Sequence, residues 1–205
     1  MIGNLTVPRL AGLTIAGALA FAASVGAMHA IQPELSVAHD AVSYYMNGPW
    51  GWVLAAGLVA MGLGSFCLLD AIRRGVGVSR AGLWALGVWG AGAAVGGLFA
   101  PDPIGSWNKP PSVSGMMHGV AAMVAFLAFP VAAVTLSHAH GWRMGGGRFL
   151  PVLAWTCVAF LVAFFATLAP AFADRAPRGL GITERLVLGA NVAWLVAAGS
   201  AVRKL

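Results

Sequence analysis

Six stretches of this chain stay apolar over about the 20 residues that a helix needs to cross a hydrocarbon core, and none contains Asp, Glu, Lys or Arg. They run Leu10–Met28, Gly51–Leu69, Ala81–Phe99, Met116–Leu136, Leu150–Phe172 and Leu186–Val202. A backbone in lipid must satisfy its own N–H and C=O groups, which leaves helices or closed barrels. Barrel strands alternate apolar and polar residues, and these stretches do not. The sequence therefore predicts an all-α integral membrane protein. Residues 1–205 form one six-helix transmembrane bundle, whose last helix extends back over Ile182.

Composition agrees. Charged residues make up 9% of the chain and hydrophobic ones 60%, whereas a soluble domain carries about 25% charge. The excess of bases flanks the apolar segments, which is the footing of membrane helices and not a nucleic-acid surface. Arg9, Arg73, Arg74, Arg80, Arg143, Arg148, Arg203 and Lys204 fall at one end of the spans. Lys109, Arg175, Arg178 and Arg185 fall at the other. That asymmetry predicts both termini in the cytoplasm. Cys67 and Cys157 sit inside apolar segments and read as thiols without a disulfide. The pairs Gly12-xxx-Ala16, Gly90-xxx-Ala94 and Gly92-xxx-Gly96 predict close helix seams inside the bundle. Pro130, Pro151 and Pro170 predict kinks or helix ends. Trp50, Trp52, Trp107 and Trp142 predict an interfacial belt.

Glu34, Asp40, Asp102, Asp174 and Glu184 all lie at the end opposite the termini, and Asp70 alone lies at theirs. The loop His29–Pro49 has no Lys or Arg and is long enough to fold back over the bundle. Asp102 and His118 flank a proline-stiffened loop. A carboxylate can orient an imidazole and raise its basicity, so this pair is the catalytic candidate, with His118 as general base. The structural alternative has Asp102 capping the loop. His39 and Asp40 add donors that would suit a divalent metal. These donors lie on separate loops without a recognised metal spacing, so no cofactor is predicted and a metal is the weaker reading.

Glu184 and Asn191 are seven residues apart and share one helix face, while Arg185 lies about 100° away. An ionisable group beside a bilayer core is costly to bury and is a functional candidate. Glu184 can equally serve the start of the last helix. The planar fork of Arg185 suits carboxylate or phosphate. It is expected to turn inward, onto Asp40, Asp102, Glu184 or a bound anionic headgroup.

Ser114-xxx-His118 resembles the first motif of the alkaline ceramidases, but the later histidine pair of those enzymes has no counterpart in the last two spans. A fuller resemblance covers nearly the whole chain. GLFAPDP (Gly97–Pro103), SGMMHG (Ser114–Gly119) and GITERL, opening the closing segment Gly181–Leu205, resemble the prokaryotic membrane family catalogued as domain of unknown function 998. The resemblance implies a polytopic protein of a prokaryotic cytoplasmic membrane, without settled biochemistry. The residues themselves predict a polar pocket of Asp40, Asp102, His118, Glu184 and Arg185, with His39 and Asn191 near it. Its expected ligand is a lipid headgroup or small amphiphile, with membrane lipids as partners and no role for nucleic acid. A permease and a non-catalytic scaffold are the alternatives.

Overall fold

The computed structural model describes residues 5–75, 79–106, 109–138, 147–169 and 178–204. It is all-helical. Six helices are long and apolar enough to cross a membrane: α1 (Val7–Ile31), α2 (Trp52–Gly75), α3 (Arg80–Leu98), α4 (Val113–Ser137), α5 (Leu150–Leu168) and α6 (Leu180–Val202). Most outrun the apolar stretches because their end turns carry polar residues. Arg73 and Arg74 close α2 over Asp70, to which both are ion-paired. Glu184 and Arg185 sit in the opening turns of α6, which begins after Gly179 at φ +78°.

Successive helices pack side by side, and α1 meets α6 to close the ring, with α2 also touching α6. Lipid offers no hydrophobic drive between helices, so close approach depends on small residues. A Cβ on Gly62 would stand 2.6 Å from the carbonyl oxygen of Gly90, joining α2 to α3. One on Gly92 would stand 2.8 Å from the carbonyl of Ala121, joining α3 to α4. Gly17 lies directly against the carbonyl of Ala60, joining α1 to α2. The Gly90 and Gly92 pairs are thus internal seams. The expected Gly12 seam is not: Gly12 meets open space and Ala16 is exposed. The true α1 seam is one turn on, because Thr14 and Gly17 face α2. The Thr14 hydroxyl donates to the Gly64 carbonyl at 2.9 Å.

Two indoles cross-link the interior. Trp89 Nε1 donates to Ser65 Oγ at 3.0 Å and Trp194 Nε1 to Ser137 Oγ at 2.8 Å. Between them Phe129 packs edge-on against both rings, with centroids 4.6 and 5.7 Å away. This aromatic layer runs across α3, α4 and α6. α4 continues through Pro130, and Pro151 sits in the first turn of α5. Trp50 and Trp52 are 61% and 64% exposed beside the start of α2, as an interfacial belt requires. Pro170, Trp107 and Trp142 lie outside the described residues.

The long first loop folds back. Gln32, 1% exposed, donates through Nε2 to the carbonyls of Tyr45 and Pro49 at 2.9 and 2.8 Å. A 3-10 helix, Val42–Asn47, buries Val42 and Tyr45 against the bundle.

The seams make a test. Gly17→Ala forces α1 off α2, with an overpacking cost of about 1–3 kcal/mol that exceeds the helix-propensity gain of about 1 kcal/mol. Gly12→Ala receives the gain alone. Thermal unfolding in detergent should show Gly17→Ala below wild type, and Gly12→Ala at or above it.

Candidate functional site

α5 contains no glycine, and 28% of its apolar window is buried, the lowest share among the six helices. Its seams with α4 and α6 are looser than those of α1 with α2, α2 with α3 and α3 with α4. Beside it, at the end away from the termini, the bundle is hollow. An outer cavity of about 400 Å³ lies among residues 101–106, Lys109, Pro111, Ala41–Tyr44, α4, α5 and the first turns of α6. A narrower slot of about 50 Å³ continues inward to Trp89. Ser43, His118, Ala122, Phe126 and Glu184 line both, so the two form one chamber. The outer cavity alone lies in the range of roughly 300–1,000 Å³ typical of small-molecule sites.

His118 stands in the second turn of α4 and is 7% exposed. Its Nδ1 lies 2.9 Å from the carbonyl of Gly96 and 2.8 Å from that of Phe99. These oxygens belong to the end of α3, where carbonyls have no helical partner. Two carbonyl acceptors require that Nδ1 carry the proton. In the neutral ring Nε2 then bears a lone pair, and it has no hydrogen-bond partner among the described residues. One nitrogen caps a helix, and the other is left for the chamber.

Glu184 divides its carboxylate in the same way. It is 7% exposed, and its Oε2 accepts the N–H of Val42 at 2.6 Å. Val42 opens the 3-10 helix, so this is an N-terminal cap supplied from a distant helix. Oε1 has no hydrogen-bond partner among the described residues. Tyr44 stands at the chamber wall with its phenol pushed up to about 12, first by burial and then by the charges of Glu184 and Asp40. It is a neutral hydroxyl at physiological pH.

The expected contact between Asp102 and His118 is not made. Asp102 accepts the backbone N–H of Ser112 at 3.1 Å, and Ser112 Oγ in turn accepts Gly115 N–H at 3.0 Å. The carboxylate sits against the first turn of α4, where unpaired amides and the helix dipole favour it. It remains on the outer cavity wall with Lys109 and Ser106, but it does not orient the imidazole. Ser114, the other half of the ceramidase-like motif, donates its hydroxyl to the Ala100 carbonyl.

Arg185 turns inward but away from the chamber, and among the described residues it meets no carboxylate. Its Nη1 donates to the carbonyls of Asp40 and Gly181, both at 2.9 Å, and Nε donates to His29 Nε2 at 3.1 Å. The guanidinium also lies over the Tyr45 ring at 5.8 Å. Asp40 itself accepts Ser36 N–H at 2.7 Å, closing a turn of the first loop. His39 is exposed and accepts Gly179 N–H at 3.3 Å. Asn191 is 1% exposed, and neither polar atom of its side chain has a partner among the described residues; we have no physical account of that. The predicted pocket is therefore two structures. His118, Glu184 and Asp102 line the chamber, while Arg185, Asp40 and His39 lock the first loop onto α6. Among the described residues no three His, Cys, Asp or Glu side chains gather to hold a metal ion. Asp174 and Arg175 lie outside the described residues.

The family model described as "Protein of unknown function (DUF998)" matches residues 15–201. The chain belongs to this family. No curated protein and no solved structure matches it. Membership in DUF998 carries no activity with it, so the chemistry of this DUF998 protein has to be read from its chamber. Sequence reasoning passed over Ser43 and the buried Gln32, and it counted Tyr44 in the first loop without placing it in the pocket. Their signal was faint: a short polar run inside a loop, with no charge to single it out.

The two roles of Asp102 separate experimentally. Asp102→Ala removes the acceptor for Ser112 N–H and should cost about 1 kcal/mol. Faster hydrogen exchange should be confined to the loop and residues 112–116, while Asp102→Asn, which keeps an acceptor, stays near wild type. Equal exchange in all three proteins would remove the capping role.

Proposed function

We propose that this membrane protein binds a lipid headgroup or small amphiphile in the chamber at the end opposite its termini. One observation carries the reading: two buried polar side chains, His118 and Glu184, each with an unpartnered atom, line a chamber whose inner slot is walled largely by apolar residues such as Phe21, Leu54, Phe126 and Leu188. An amphiphile matches that division, with its chain along the apolar walls and its head at the polar pair. The permease reading fares worse. It needs a polar route on toward Asp70, whereas Trp89, Phe129 and Trp194 cross the bundle and Asp70 is occupied by Arg73 and Arg74. A pure scaffold has no use for a hollow end. His118 Nε2 could act as a base on a bound ligand; the proposal is for binding.

Ala122 lines both parts of the chamber and makes no polar contact, so Ala122→Trp fills the space while keeping His118 and Glu184 in the chain. A ligand at a hundredfold excess over its Kd adds ~2.7 kcal/mol of stability. Lipids extracted from the native membrane, added to the protein in nanodiscs, should raise the Tm of wild type by several degrees and leave that of Ala122→Trp unmoved. An equal rise in both proteins would place the binding elsewhere.

We also place both termini in the cytoplasm of a prokaryotic cell. Arg9, Arg73, Arg74, Arg80, Arg148, Arg203 and Lys204 gather at the termini's end of the described bundle, as the positive-inside bias requires. Alkaline phosphatase fused after Arg74 or Leu205 should be silent, and active after Lys109. Activity after Leu205 reverses the orientation.

A further inference from the structure

We propose that the head bound in this chamber is a protonated amine, so that the ligand class is a cationic amphiphile; this rests on the amphiphile reading above. The charges facing the chamber decide the sign. Glu184 is buried, and no Lys or Arg lies within ion-pair distance of it: among the described residues the ion pairs are those of Asp70. The neighbouring cation, Arg185, forms no ion pair with Glu184 and is spent on His29, Asp40, Gly181 and Tyr45. Lys109 stands exposed at the outer rim, where Asp102 is also present.

A buried carboxylate with no ion-pair partner is expensive, and it escapes that cost only by taking up a proton. An anionic head favours the protonated form. An ammonium holds the ionised one.

The two unpartnered atoms also agree in kind. Glu184 Oε1 is an acceptor, and so is His118 Nε2 once Nδ1 is committed to the carbonyls of Gly96 and Phe99. Both call for N–H donors, which an ammonium supplies and a carboxylate or phosphate does not. Trp89, Phe126 and Phe21 stand along the same walls, and aromatic rings attract cations at close range.

The test compares octylammonium, octanol and octanoate, which share a chain and differ in head charge. Each is titrated calorimetrically at neutral pH into the protein in phosphatidylcholine nanodiscs, with empty nanodiscs subtracted. Wild type should bind octylammonium at least tenfold more tightly than octanol, and octanoate more weakly still. Glu184→Gln keeps an oxygen for Val42 N–H and should bring octylammonium to the level of octanol measured in the same variant. Ala122→Trp should abolish binding of all three. Octanol or octanoate binding wild type as tightly as octylammonium overturns the amine assignment and leaves the amphiphile reading standing. A preference that survives Glu184→Gln overturns it too. If no probe binds wild type, or if Ala122→Trp binds as wild type does, the chamber reading falls and takes this inference with it. Should Glu184→Gln fail to assemble, the three wild-type affinities alone decide.

Discussion

Backbone contact between helices governs this molecule. In lipid, apolar side chains gain little by meeting one another in place of acyl chains, so helices hold where small residues let them touch. α1, α2, α3 and α4 are joined in this way, through Gly17, Gly62, Gly90 and Gly92. α5 reads LPVLAWTCVAFLVAFFATL and has no glycine; Ala154 and Cys157 are the small residues it buries. Its bulk keeps it at a distance, and the hollow end follows from that distance. The same constraint that tightens one side of the ring opens the other.

The polar groups at the hollow end are economical. His118 and Glu184 each satisfy one backbone group with one atom and keep a second atom in reserve. Two isolated ionisable side chains in a membrane bundle would be costly. Anchoring each to a helix end recovers part of that cost and fixes the direction of the atom that remains. Arg185, which looks from the sequence like the cation of the same site, acts as a clamp on the first loop. One residue step along α6, about 100° around the helix, sends the adjacent charges to different groups of the same loop, Glu184 to the Val42 amide and Arg185 to the Asp40 carbonyl.

The six spans were legible in the sequence because length and hydropathy alone identify them, and the family match is consistent with that reading. The face holding the site was legible too, since a charged residue beside a span is rare enough to be noticed. What could not be read was the wiring. Asp102 and His118 look like partners because both are polar side chains bounding one loop. In the fold each found a closer partner in the unpaired amides and carbonyls at a helix end. Every residue carries those backbone groups, so no residue pattern marks which one will be met. The seam at Gly12 failed for a related reason: spacing identifies a small-residue stripe but not the side of the helix that faces a neighbour.

The cap on Val42 comes from a residue 142 positions later in the chain, and the bond between Arg185 and His29 spans 156 positions. Ribosomal synthesis runs in one direction, so the first loop leaves the membrane long before α6 exists. Until the last helix is inserted, the Val42 amide lacks its acceptor and the Asp40 carbonyl lacks its donor. The chamber wall formed by that loop is therefore the last part of the molecule to be finished, although it is among the first to be made. α6 completes the site as well as the bundle, and a chain halted after five spans has neither.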